Sequence, residues 1–297
     1  MRVLVTGAAG YLGRAVVAAL AAAGHDTVAM VHSEQPNIAH ANQIRVADLL
    51  DSDALRSAVD GMDAVCHLAG LTRVRESMAD PLWYFGVNTV GTIALLDAMS
   101  TAEVPRLVFA STGAIYGDVG GRPITEELPD NPPHPYASSK LAAEAAVEAH
   151  DAAAAVLRLS NVAGGCDPDP TRLIPRVLRA AARNEPLQVN GDGTSVRDYV
   201  HLSDAVNAFV AALEHLPSPG TTERYVIGSG RGASVRQVVA AVEKVSGRRV
   251  PLVHRPAVPE PSALVADPAK AMNQLDWVPT YSDIAAIVDQ MWRVYSD

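Results

Sequence analysis

Cysteine is scarce in this chain of 297 residues: Cys66 and Cys166 are the only two. They cannot build a disulfide framework, and neither has a C-x-x-C partner or a histidine at zinc spacing. The nine histidines are scattered, so no resident metal is expected. Basic residues are also few, 24 against 33 acidic for a net charge of -9, and they form no basic run. Gripping a phosphate backbone takes clustered cations, which excludes nucleic acid as a partner. No stretch reaches the roughly 18 apolar residues that cross a bilayer, so no membrane association is expected. The apolar run from Ala15 to Ala23 follows three regularly spaced glycines and a single basic residue, Arg2, a poor match to a secretory signal. A cytoplasmic protein acting on a small molecule is the expectation.

What is present is a globular composition, 48% hydrophobic and 19% charged, with no internal repeat. Short β-branched runs alternate with Ala/Leu-rich runs over the first 160 residues. The strands predicted are Arg2 to Thr6, Thr27 to Val31, Ile44 to Ala47, Ala64 to Leu68, Arg106 to Ser111 and Ala155 to Ser160; the helices are Tyr11 to Ala23, Ser52 to Val59, Pro81 to Thr101 and Ala137 to Asp151. This is the α/β pattern of a doubly wound parallel sheet, a Rossmann fold. After Asn161 the texture changes. A helix from Leu173 to Asn184, a strand from Val196 to His201 and helices from Ser234 to Ser246 and Ser282 to Tyr295 surround a proline-rich segment, Pro251 to Pro261. The expected division is a dinucleotide-binding core of residues 1–162 and 187–228, and a smaller substrate-binding lobe of residues 163–186 and 229–297.

Three motifs carry chemistry. Strand one runs into T-G-A-A-G-Y-L-G, with Gly7, Gly10 and Gly13 three apart and a helix starting at once. Glycines let backbone approach a pyrophosphate, whose charge then meets the helix N-terminus. Tyr136 and Lys140 stand four apart on one helix face, and only three lysines occur in the chain. A cation so placed is expected to lower the phenol's pKa and make it a usable proton donor or acceptor. Ser111 and Thr112 end an apolar strand at its carboxyl edge, where a substrate oxygen would be met.

Together with H-L-A-G at His67 to Gly70, Asn88, Asn161-Val162, V-R-D-Y-V-H at Val196 to His201 and the closing L-D-W-V-P, these motifs make the chain resemble the extended short-chain dehydrogenase/reductases. Within them it is most similar to the NAD(P)-dependent sugar-nucleotide epimerase/dehydratase branch. The resemblance implies a catalytic set of Thr112, Tyr136 and Lys140. It implies a cofactor groove formed by Gly7, Gly10, Tyr11, Leu12, Gly13, Arg14, His32, Ser33, Asp48, Leu49, Leu68, Ala69, Asn88 and Ser111, with Tyr136 and Lys140. Thr72, Thr112, Asn161, Arg197 and Arg255 would face the substrate, and the helices from Pro81 and Ala137 resemble those that pair two subunits, so a homodimer is implied.

Three departures shape the functional reading. NAD-using members place an acid at the end of strand two, where it binds the ribose; here the stretch is Val31-His32-Ser33. A carboxylate would repel a 2′-phosphate, so NADP is the cofactor expected, NAD the alternative. Gly113 and Ala114 stand where dehydratases carry acids, which argues against dehydration. Of the two arginines usually placed on the substrate diphosphate, Arg197 is in its pattern and Arg255 is displaced from it. The leading reading is therefore an NADPH-dependent ketoreductase acting on a keto-sugar or another bulky natural-product ketone. The alternative is an NAD-dependent nucleotide-sugar 4-epimerase, and a non-catalytic nucleotide sensor is the third.

Overall fold

The near-continuous apolar runs become strands covered on both faces. The computed structural model describes residues 1–34 and 37–296. In chain order the first half comprises β1 (Arg2–Thr6), α1 (Tyr11–Ala22), β2 (Asp26–Val31), β3 (Gln43–Val46), α2 (Ser52–Val59), β4 (Ala64–His67), α3 (Val74–Ala79), α4 (Pro81–Phe85), α5 (Gly91–Thr101), β5 (Arg106–Thr112), α6 (Pro135–Glu148) and β6 (Ala153–Leu159). The second half comprises β7 (Asn161–Ala163), α7 (Leu173–Arg183), β8 (Leu187–Asn190), β9 (Val196–His201), α8 (Leu202–Glu214), β10 (Thr222–Ile227), β11 (Gly232–Ser234), α9 (Val235–Ser246), β12 (Leu252–Arg255), β13 (Ala263–Leu264), α10 (Ala269–Gln274) and α11 (Ile284–Ser296).

Seven strands form a parallel sheet in the order β10-β6-β5-β4-β1-β2-β3. Val16, Leu20 and Phe209 of α1 and α8 bury one face; Leu55, Leu95 and Val147 of α2, α5 and α6 bury the other. From β1 the chain builds outward first through β2 and β3, then on the opposite side through β4, so the topological switch point opens at the carboxyl ends of β1 and β4. There Thr6 stands in register with His67.

A separate core, with Val177, Val238, Val242 and Ile287 at its centre, joins α7, α9 and α11. Two small sheets flank it: β11-β9-β13 with β7 on β9, and β12 on β8. The stretch 187–228, placed with the core on sequence, is split. β10 extends the large sheet, while β8 and β9 pair only within the small ones.

Several boundaries move for physical reasons. The last large-sheet strand, β10, reads T-E-R-Y-V-I and gave no strand signal because it lies at the sheet edge, with its first three residues only half-buried. α6 starts at Pro135 rather than Ala137: proline suits the first helical position, and the His134 ring accepts the Ala137 N–H. The single helix expected from Pro81 to Thr101 is interrupted by a π-helical turn, Gly86–Val90, which carries the buried Asn88. Among the described residues no helix is long and apolar enough to cross a membrane.

Candidate active site

At the end of β1, Gly7 has φ +67° and lies so close to Ala69 that a Cβ there would come 2.8 Å from the Ala69 nitrogen. Gly13 is tighter still against the carbonyl of Gly7. The three glycines therefore let the turn fold onto itself and onto the H-L-A-G segment. α1 begins at Gly10 with no side-chain cap and no acid in its first turn. Its first amides, including those of Tyr11, Leu12 and Gly13, have no partner within the helix, and the dipole favours an anion there.

The facing turn is held by a buried relay. Thr6 Oγ1 accepts the backbone N–H groups of Leu68 and Ala69, and its own proton goes to His67 Nδ1 at 2.7 Å. The Thr92 hydroxyl donates to the Asn88 carbonyl, which leaves it to accept the His67 Nε2 proton at 3.0 Å. His67 is thus a neutral imidazole of fixed tautomer, and burial pushes its pKa down to about 3. Asn88 accepts from Leu71 N–H and donates to the Leu71 carbonyl and to Ser139. Through these residues the turn that faces the glycines is tied to α6, which carries Tyr136 and Lys140.

Thr112, Tyr136 and Lys140 do converge. Thr112 lies near enough to the Tyr136 phenol to influence its titration, and Lys140 lies one turn further along α6, its Nζ 4.0 Å from the centre of the Phe109 ring. The phenol titrates against expectation. Burial raises its pKa above the ordinary value, while Thr112 and the charge of Arg172 pull it down. Lys140 itself is buried, which lowers its pKa to about 7 despite the nearby Glu144. Burying a cation against an aromatic face makes its proton easy to lose, and that desolvation outweighs the pairing read from the helix spacing.

Behind this set is an ion cluster that the motif reading missed. Glu144 is fully buried, accepts the Ser111 hydroxyl, and pairs with the buried Arg158, which also reaches Asp130 at 2.6 Å. Burial works against the Arg158 charge, but the hydrogen bonds to Glu144 and Asp130 outweigh it and raise its pKa. Its signal was present: Glu144 repeats the Tyr136 to Lys140 spacing once more along the same helix face. Ser111, read as a cofactor contact, turns its hydroxyl to Glu144. Two rings also surround the phenol. His134 stacks on Tyr136 with centroids 5.9 Å apart, and Tyr84 meets it edge-on at 6.4 Å.

The remaining expected residues scatter along the cleft. Arg14 donates to the Ala9 carbonyl of the glycine turn. His32 and Ser33 are exposed at the end of β2, and His32 Nε2 lies 3.2 Å from the Asp48 carboxylate. Leu49 packs so closely over Gly91 that a Cβ there would come 2.9 Å from its own. On the lobe side the Tyr11 hydroxyl donates to the Gly164 carbonyl, and Asn161 donates to the carbonyl of Asp198. Arg197 is committed to Val196 O, Pro261 O and Glu260, whereas Thr72 and Arg255 are exposed.

A parallel sheet with a glycine turn at its switch point, facing a Thr/Tyr/Lys set, defines a nicotinamide-dinucleotide enzyme of the short-chain dehydrogenase/reductase type. Residues 3–228 match the NAD dependent epimerase/dehydratase family, and the chain belongs to it. A UDP-glucose 4-epimerase of Lacticaseibacillus casei is 36% identical over 99% of this chain and 96% of its own length. The structure of UDP-glucose 4-epimerase from Brucella ovis in complex with NAD superposes with a TM-score of 0.92, at 33% identity, covering 99% of this chain and 98% of that one. The enzyme from Bifidobacterium longum, solved with NAD+ and UDP, gives 0.89 at 30% identity with the same coverage.

These matches overturn the ketoreductase reading. Relatives similar to this chain over its whole length include UDP-glucose 4-epimerases, the class that the sequence left as the alternative. The error began at the end of β2, where no acid follows Val31. The fold brings a carboxylate to that corner from the end of β3, because Asp48 reaches His32 across the strand ends.

Proposed function

We propose that this protein is an NAD-dependent 4-epimerase of a nucleotide-linked hexose, interconverting a pair such as UDP-glucose and UDP-galactose. The observation that carries it is the buried Tyr136 with Thr112 beside it and Lys140 one turn along the same helix, in a chain with full-length relatives that are UDP-glucose 4-epimerases. The glycine turn fits a dinucleotide: its backbone has room for close approach, and the uncapped start of α1 is left for a pyrophosphate. Asp48 at the corner beside His32 disfavours a 2′-phosphate and supports NAD over NADP.

In this reading Gly7, Gly10 and Gly13 with the first amides of α1 hold the pyrophosphate, and Lys140 holds the nicotinamide ribose. When bound, the nicotinamide supplies a reversible hydride acceptor for the sugar C4. Tyr136 takes the C4 hydroxyl proton as that carbon is oxidised. Thr112 keeps the same oxygen in place by hydrogen bonding. After the 4-keto sugar turns its other face to the cofactor, Tyr136 returns the proton and the opposite C4 configuration results. Gly113 and Ala114 offer no acid or base for a second carbon, so elimination does not compete.

The test is a coupled assay for conversion of UDP-galactose, with mass spectrometry of the cofactor released from purified protein. Turnover and retained NAD are expected; released NADP with no epimerisation defeats the proposal. A homodimer belongs to the same reading. Leu82, Trp83, Val90 and Ile93 form an exposed apolar face on α4, its π turn and α5. Leu82→Asp with Trp83→Asp is expected to give a monomeric mass by light scattering, against a dimer for the parent.

A further inference from the structure

The phenol stands on the least secure part of its helix. Tyr136 is the second residue of α6, after Pro135, in the turn whose amides have no partner within the helix and which frays first. Lys140, one turn further in, is buried. The spacing between phenol and ammonium therefore holds only while that first turn stays wound.

One side chain holds it. His134 lies between Pro133 and Pro135, and a residue before proline is biased to extended backbone, the conformation of an N-cap. Its carbonyl accepts the Ser138 N–H at 3.0 Å, and its ring Nδ1 accepts the Ala137 N–H at 3.1 Å. The same ring stacks on the phenol, with centroids 5.9 Å apart and planes 16° from parallel, while Tyr84 meets the phenol edge-on from α4. Cap and brace are one imidazole.

Both contacts depend on that imidazole being neutral. Nδ1 accepts only while the ring's single proton is on Nε2, because an imidazolium has two donors and no acceptor. Protonation strips the Ala137 N–H of its partner and sets a cation at the positive end of the helix dipole. The groups facing the pair do not favour that cation. Tyr84 from α4 is a neutral phenol, Arg172 before α7 is itself a cation acting on Tyr136, and among the described residues no carboxylate lies within 4.0 Å of His134. Burial lowers the pKa of the ring below its ordinary value. A serine would cap the helix with none of this pH dependence.

We propose that His134 is a positioning residue for Tyr136: its neutral ring keeps the first turn of α6 wound and braces the phenol, and protonation in acid releases both. The inference rests on the epimerase reading above and adds the residue that holds its proton carrier in place.

Rates of UDP-galactose conversion by the NAD-loaded protein, taken from quenched samples between about pH 5 and 9, test it. The parent's kcat should fall in acid, because the neutral ring is the competent form and is lost as the pH drops through a pKa below 6.5. His134→Ala should lower kcat about tenfold near pH 8 with KM close to parental, the effect of a loosely held phenol rather than of a lost substrate contact. His134→Ser supplies a cap that does not titrate, so it should recover most of that loss and hold its kcat to about pH 5.5, where the parent declines. Retained NAD reports an intact fold in each variant; should the Ala variant lose its NAD, the Ser profile alone decides. A parental kcat in the Ala variant, a loss that falls in KM instead, or an unchanged acid limb in the Ser variant overturns the inference while leaving the epimerase standing. No conversion by the parent at any pH removes the epimerase reading, and this inference with it.

Discussion

On the cofactor side of the cleft, buried polar groups are matched: Thr6, His67, Thr92 and Asn88 hand hydrogen bonds along one chain, and Glu144 neutralises Arg158 in the interior. Around α7, by contrast, Arg75, Arg176, Arg179 and Arg255 stand exposed or half-buried with no carboxylate within 4.0 Å among the described residues. The first arrangement holds its geometry whatever is bound. The second leaves its guanidiniums to solvent. A buried phenol and ammonium keep their alignment only where the groups around them are already paired, since rigidity of the surroundings is what fixes their geometry.

Stability should break the comparison most sharply. Glu144→Ala leaves Arg158 buried and short of its main partner, and a loss of about 3–5 kcal/mol is expected by urea unfolding. Arg255→Ala removes an exposed unpaired cation and should change stability by no more than about 0.5 kcal/mol. Equal effects would erase the distinction between the two sides. Turnover comes next. Tyr136→Phe is expected to lower kcat on the true substrate on the order of a hundredfold, with UDP affinity barely changed. A near-parental kcat would place the proton elsewhere.

A pH dependence follows from the relay. His67 is neutral when folded, with a pKa of about 3, and ordinary when unfolded, so between about pH 6.5 and 3 the unfolded chain binds the extra proton. Stability contributed by the buried neutral ring is present above that window and declines as the pH falls through it. His67→Gln should flatten the decline, measured as urea midpoints at pH 7 and pH 5. The smallest effect expected is on ligand affinity: Arg255→Ala should weaken UDP binding by less than about tenfold, with a shallower salt dependence than the parent.

Much of this was legible in the chain. β1, α2 and β9 have the bounds that periodicity predicts, and the glycine turn and the Tyr136–Lys140 face need only local spacing to be read. What escaped reading depends on distant residues. The electrostatics of Tyr136 reversed because helix spacing reports distance and says nothing of burial. The NADP expectation looked along β2 for an acid, whereas the carboxylate at that corner arrives from β3. β10 was passed over because an edge strand lacks the two-sided apolar run that marked its neighbours.

The sequence by itself determined where backbone can approach a pyrophosphate, since only glycine fits the close packing at Gly7 and Gly13, and it set a phenol and an ammonium one helical turn apart. Tertiary structure decided which of these groups are dry, which charges are cancelled, and what stands beside them. His67 bonds to Thr6 and Thr92, 61 and 25 residues away, and Asp48 meets His32 only where two strands end together. Desolvation and charge compensation are properties of a neighbourhood, and that neighbourhood exists only once the sheet, its helices and the lobe have packed.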